Sequence, residues 1–124
     1  MAGSRRPPPP GRERLPPAMR DLFGLHVRFR ANPGMADDLE RVLLDAAAEA
    51  GSAPECRMYV VGRSPADQDL VWVIEAWTTR RAHDASLDDP AAQALMQRAM
   101  PLLADRPHAS EIKPSGGKGL GDPL

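Results

Sequence analysis

This chain is poor in the residues that usually announce a chemistry. It has one cysteine, Cys56, so no internal disulfide can form and a zinc site would need all its other ligands elsewhere. Its three histidines, His26, His83 and His108, are scattered, with no His-x-x-x-His or Glu-x-x-His pair. Gly116 to Gly119 includes a lysine but lacks the Walker spacing and the following Ser or Thr, so it reads as a loop. No apolar run approaches the roughly 18 residues of a membrane helix. The basic N-terminus is not followed by the apolar stretch of a secretory signal. Net charge is only −1, which argues against a general nucleic-acid binder. These absences predict a cytoplasmic protein with no metal, no cofactor, and neither nucleic acid nor membrane as partner.

What is present suits one small domain: 124 residues, 42% of them hydrophobic. Residues 1–20 hold six of the 14 prolines and five arginines against one glutamate. Such a stretch buries too little to offset chain entropy, and is expected to be a disordered extension with polyproline character. Met19 is a candidate start. Residues 21–113 should form the folded domain, and 114–124, rich in Gly and Pro, a flexible tail.

Within the domain the hydrophobic period changes along the chain. Phe23, Leu25, Val27 and Phe29 alternate with Gly24, His26, Arg28 and Arg30, which predicts a strand with one apolar face. After the turn Asn32-Pro33-Gly34, Leu39, Val42, Leu43, Ala46 and Ala50 recur at helical spacing. That helix should run from about Met35 to Ala50, with Gly51 as its cap. Cys56 to Arg63 and Leu70 to Trp77 read as two further strands, the latter apolar on both faces. A short helix is expected over residues 79–87, then another after Asp89-Pro90 that Pro101 disturbs, then a last strand from His108 to Lys113.

The order strand, helix, strand, strand, helices, strand is that of an α+β, ferredoxin-like split βαβ sandwich. Helices then cover one face of the sheet, yet the third strand is apolar on both. A second copy is the simplest cover for the other face, so the chain should be a homodimer.

The residues from Leu25 to Lys113 resemble the antibiotic biosynthesis monooxygenase family. The resemblance rests on Val27-Arg28-Phe29 before Asn32-Pro33-Gly34, the acidic amphipathic helix, Cys56-Arg57-Met58-Tyr59, and above all Val73-Ile74-Glu75-Ala76-Trp77. Arg81-Ala82-His83, Asp89-Pro90, Ala94-Leu95-Met96 and Pro101-Leu102-Leu103 complete it. It implies a dimeric α+β barrel that oxygenates quinols or anthrones with molecular oxygen, without metal or flavin. Relatives of the same fold degrade haem or isomerise lactones. Many members carry a histidine where Ser86 stands here and an aromatic residue where Ala92 stands; in this chain His83 lies one turn earlier.

Oxygenation without a cofactor requires that the substrate lose a proton and meet oxygen in a dry space, so the protein needs an apolar pocket, a base and a donor. His83 is the first candidate base, because an ordinary imidazole pKa of ~6.5 suits proton transfer near neutrality. A capping or surface role is the plainer alternative. Ser86, three residues on, shares its helix face. His26 is the second candidate, as a pocket donor or an interface residue beside Arg28. Trp77 and Trp72 are an odd number of positions apart and face opposite ways, so Trp77 can line the pocket while Trp72 packs at a dimer contact. Core packing is the plainer reading of Trp77, and Tyr59 is equally explicable as a packed strand aromatic. Glu75 shares a face with Trp77 and could orient a histidine, although pairing with Arg28 or Arg30 across strands is the preferred reading. Tyr59 could donate to a quinol oxygen. His83, Trp77 and His26 are thus the catalytic candidates, and Tyr59, Trp72, Glu75, Ser86 and Arg28 the substrate-binding ones. The function expected is a cofactor-independent monooxygenase; the alternatives are a non-catalytic dimeric small-molecule-binding module and a haem-degrading relative.

Overall fold

Strict alternation over Phe23–Arg30 decides which way the sheet faces. In a computed structural model, which describes residues 21–120, this segment is strand β1, with Phe23 and Val27 buried on one side and Arg28 and Arg30 exposed on the other. The Pro- and Arg-rich stretch 1–20 and residues 121–124 lie outside the described residues. The elements that follow are α1 (Ala36–Gly51), β2 (Cys56–Arg63), β3 (Leu70–Trp77), α2 (Arg80–Ser86), α3 (Pro90–Ala99), a 3-10 turn (Met100–Leu102) and β4 (His108–Ile112). The four strands make one antiparallel sheet in the order β2-β3-β1-β4. This is the ferredoxin-like α+β fold.

The core lies between the sheet and α1. Leu39, Val42 and Leu43 from α1 pack on Val27, Val71 and Val73, and Ala99 of α3 closes the cluster. Leu39, Val71 and Val73 are fully buried. Gly34 makes the entry to α1 possible, since its φ of +82° is a conformation that favours glycine. Asn32 holds that turn to the end of α3: its side-chain amide donates to the Pro101 carbonyl and its backbone N–H to that of Leu102. Asp37 and Asp38 sit in the first turn of α1, where the helix dipole favours negative charge.

Two local expectations change. Gly51 is not a left-handed cap; it belongs to the helix, and Ser52 ends it instead, with its hydroxyl and its backbone N–H both donating to the Glu49 carbonyl. Glu75 does not pair with Arg28 or Arg30. The pleat turns Arg28 and Arg30 to the other face, and Arg30 binds Asp67 at 2.9 Å instead. Pro101 acts as expected, since α3 stops at Ala99 and tightens into the 3-10 turn.

On the face without helices, the residues after β4 fold back rather than leaving the sheet. Leu120 is buried against Leu22 and Ala76, with Met58 alongside. The small side chain of Ala76, together with Gly24, leaves room for it. A Cβ on Gly24 would stand 3.1 Å from the Ile112 carbonyl oxygen, so glycine suits β1 where it passes β4.

Candidate active site at the end of β3

The site is built where β3 ends and α2 begins. Trp77 is the last residue of β3, and the Thr79 hydroxyl caps α2 by accepting from the Ala82 N–H at 3.0 Å. The cap fixes the first turn of α2, and one turn on, the ring of His83 is brought back over the sheet. That ring meets Trp77 edge-on, with centroids 5.9 Å apart, and Phe23 at 5.0 Å. Phe23 and Trp77 are themselves opposite one another in the β1–β3 register. Arg80 lies over the outer side of the Phe23 ring at 4.6 Å and binds Glu111 of β4, which ties α2 to the sheet.

Glu75 stands two residues before Trp77 on the same face, and only 8% of it is exposed. Its Oε1 accepts a hydrogen bond from Trp77 Nε1 at 2.8 Å. The same oxygen lies 3.6 Å from His83 Nε2, an ion-pair separation but too long for a hydrogen bond. The other ring nitrogen, Nδ1, faces Asp84 Oδ1 at 3.0 Å. Burial pushes the Glu75 carboxyl above the usual carboxylate range; the Trp77 hydrogen bond and the charge of His83 pull it down without offsetting this. Tyr59, next to Glu75 in the β2–β3 register, has its phenol pushed up by burial and by the Glu75 charge, so it remains a donor.

These groups open onto a cleft of about 1140 Å³ between α1, α2, α3 and the sheet. Leu43, Ala46, Leu95 and Met96 give it apolar walls, with Tyr59 and Trp77 as its aromatic floor. Such a volume lies just above the usual range of small-molecule sites, roughly 300–1,000 Å³. Ser86 and Ala92 both line it and both are small. The Ser86 hydroxyl donates to the His83 carbonyl at 2.6 Å.

Residues 22–98 match the model of the antibiotic biosynthesis monooxygenase family. This chain belongs to that family. Among solved structures, a candidate antibiotic biosynthesis monooxygenase of Chloroflexus aurantiacus is 38% identical, with a TM-score of 0.72 over 82% of this chain and 100% of its own. A second, from Caulobacter crescentus, is 22% identical, with a TM-score of 0.72 over 77% of this chain and 92% of its own. SnoaB of Streptomyces nogalater, a cofactor-independent oxygenase, shares the fold at 17% identity, with a TM-score of 0.69 over 79% of this chain and 97% of its own. No curated protein matches the chain.

As an antibiotic biosynthesis monooxygenase family member, the chain divides its candidate residues between two faces. Trp77, His83, Glu75, Tyr59 and Ser86 all border the cleft. His26, Trp72 and Arg28 do not. Trp72 stacks on His26 with centroids 4.6 Å apart on the face without helices, and Arg28 lies opposite both Trp72 and His108 there. Sequence reasoning missed Asp84, which flanks His83, and Phe23, which packs on its ring. Nothing in the alternation of β1 distinguishes Phe23 from an ordinary core residue. Among the described residues no three His, Cys, Asp or Glu side chains converge on one point, and no helix is long and apolar enough to cross a membrane.

Proposed function

We propose that this chain is a cofactor-independent monooxygenase that oxidises a planar aromatic quinol or anthrone with molecular oxygen in the cleft beside Trp77. The observation that carries this reading is the contact of a large apolar cleft with a buried ionisable pair, Glu75 and His83. A flat ring system fits against Trp77 and Tyr59, and a buried pair can accept its proton where bulk water is thin. The ionised substrate supplies the electrons for oxygen. For an anthrone, one carbon loses two hydrogens and gains one oxygen atom as a carbonyl. The second oxygen atom leaves as water with those two hydrogens, so substrate and dioxygen are consumed one for one. Membership of the monooxygenase family supports the class of reaction.

Two copies are proposed to pair through the sheet faces that carry Trp72, Val60 and Ile74. The second reading, a binding module without turnover, draws on His83, both of whose ring nitrogens already face carboxylates. Oxygen uptake with dithranol and with a naphthoquinol separates the two. One dioxygen consumed per substrate, with one labelled oxygen atom retained in the product, supports the enzyme; tight binding without uptake supports the module.

A further inference from the structure

We propose that Glu75, not His83, takes the proton from the substrate, and that His83 is the ion-pair partner held beside it. The proposal takes its substrate from the monooxygenase reading; its geometry stands without it. A base needs a free lone pair directed at the substrate. The His83 lone pair is poorly directed for this, because Nδ1 faces Asp84 at 3.0 Å and Nε2 is turned to Glu75, 3.6 Å away, while Phe23 and Trp77 pack on the ring itself.

Glu75 differs in two respects. Its Oε1 holds the Trp77 N–H and faces His83, while its Oε2 makes no hydrogen bond among the described residues. It also lines the cleft, and its burial makes the carboxylate a stronger base than a solvated one. In the transfer the substrate's C–H or O–H bond breaks and the electron pair stays on the substrate as an enolate or phenolate. A new O–H bond forms on Oε2. The buried negative charge moves from Glu75 to the substrate, still beside His83, so the number of buried charges does not change. That is why the pair can work where an isolated carboxylate would be costly. Tyr59, which lines the same cleft from β2, offers its phenol as a donor to the new anion.

Among the described residues, the groups that face Glu75 are few. From α2 comes His83, with Asp84 behind it; from β2 come Tyr59 and the Cys56 thiol; β1 contributes the apolar Leu25 opposite it and Phe23. Burial raises the carboxyl's proton affinity most, and the Trp77 N–H and then His83, the one basic side chain among these groups, lower it.

The test uses Glu75→Gln and His83→Asn in the full chain, with dithranol under argon, following the enolate band in the visible against pH. The wild-type rate should rise with pH as Glu75 ionises. Glu75→Gln should lose that rise and ~10²-fold or more in rate, the usual range for loss of a general base. His83→Asn should keep the rise but move it to higher pH, since the carboxylate has lost its cation. If His83→Asn abolishes the enolate while Glu75→Gln keeps it, or if neither variant matters, the proposal is overturned. NMR of carboxyl-labelled glutamate in the ligand-free protein reads the same point without substrate. The Glu75 signal should titrate above the other glutamates and higher still in His83→Asn; titration with the surface glutamates would overturn the assignment. Admitting air separates the two claims. Glu75-dependent enolate without oxygen uptake ends the monooxygenase reading and leaves Glu75 as the base, whereas uptake with no Glu75-dependent enolate does the reverse.

Discussion

His26 lies flat on Trp72, with ring planes 3° apart and centroids at 4.6 Å, on the face of the sheet that no helix of the described residues covers. Around that stack, Val60, Ile74 and Ile112 are 52%, 40% and 42% exposed. Contiguous exposed apolar side chains on one face mark an interaction surface more often than a solvated one. Leu120 covers only the end near Ala76. If a second copy covers the rest, the chain should sediment at about twice 13.4 kDa at micromolar concentration. Val60→Asp should give a folded monomer, because Val60 contributes little to the core. A wild-type protein that remains monomeric would end the dimer reading.

Glu75 carries a second, independent prediction about stability. Its carboxyl is raised in the folded state, chiefly by burial, so the folded chain holds its proton to higher pH than the unfolded chain does. The stability associated with that proton is fully present below the unfolded pKa and is lost as pH rises through the folded one. Glu75→Gln carries no such charge and still offers an oxygen to Trp77. Its melting temperature should equal the wild type's near pH 4 and exceed it at pH 8. A wild-type advantage at pH 8 would show that His83 and Trp77 outweigh burial.

The division of labour around Glu75 marks how far the sequence can be read. Period two over Phe23–Arg30, period 3.6 over α1 and the turn residues between them foretell every strand and helix to within a few residues, because each is a local pattern. Trp77 and Glu75 sharing a face follows from strand geometry alone. What periodicity cannot supply is which residue of α2 reaches β3. That depends on the Thr79 cap and on the angle at which α2 returns over the sheet. The sequence alone therefore favours an Arg28 or Arg30 partner for Glu75, which the pleat in fact prevents, over the contact with His83. Gly51 departs from its expected role for a similar reason: the Ser52 hydroxyl offers the Glu49 carbonyl a donor, and no left-handed residue is needed.

The width of the cleft should select its substrate. Ala92 lines it with a single methyl group. Ala92→Trp narrows the cleft without touching Glu75 or His83. The KM for a three-ring anthrone should rise tenfold or more, about 1.4 kcal/mol, while that for a single-ring quinol changes little. Equal changes for both substrates would show that rings do not bind against α3.

Trp77 is both a wall of the core and a donor, and two substitutions separate the roles. It is 3% exposed, so Trp77→Ala should cost roughly 3–5 kcal/mol in lost packing at every pH. Trp77→Phe keeps most of the packing but leaves Glu75 Oε1 without its N–H at 2.8 Å. A hydrogen bond to a charged group contributes about 1.5–3 kcal/mol. That part matters only while the carboxyl is ionised. The Trp77 N–H pulls the carboxyl's pKa down, so its stabilisation is present at high pH and is lost as pH falls and Glu75 takes up a proton. Urea unfolding of Trp77→Phe should therefore show a deficit at pH 8 that shrinks toward pH 4, leaving only the difference in packing. In a Glu75→Gln background the pH dependence of that deficit should disappear, since no charge remains for the indole to serve. A deficit that is constant with pH, or a pH dependence that persists unchanged in the Glu75→Gln background, would mean that Trp77 acts on this site through packing alone.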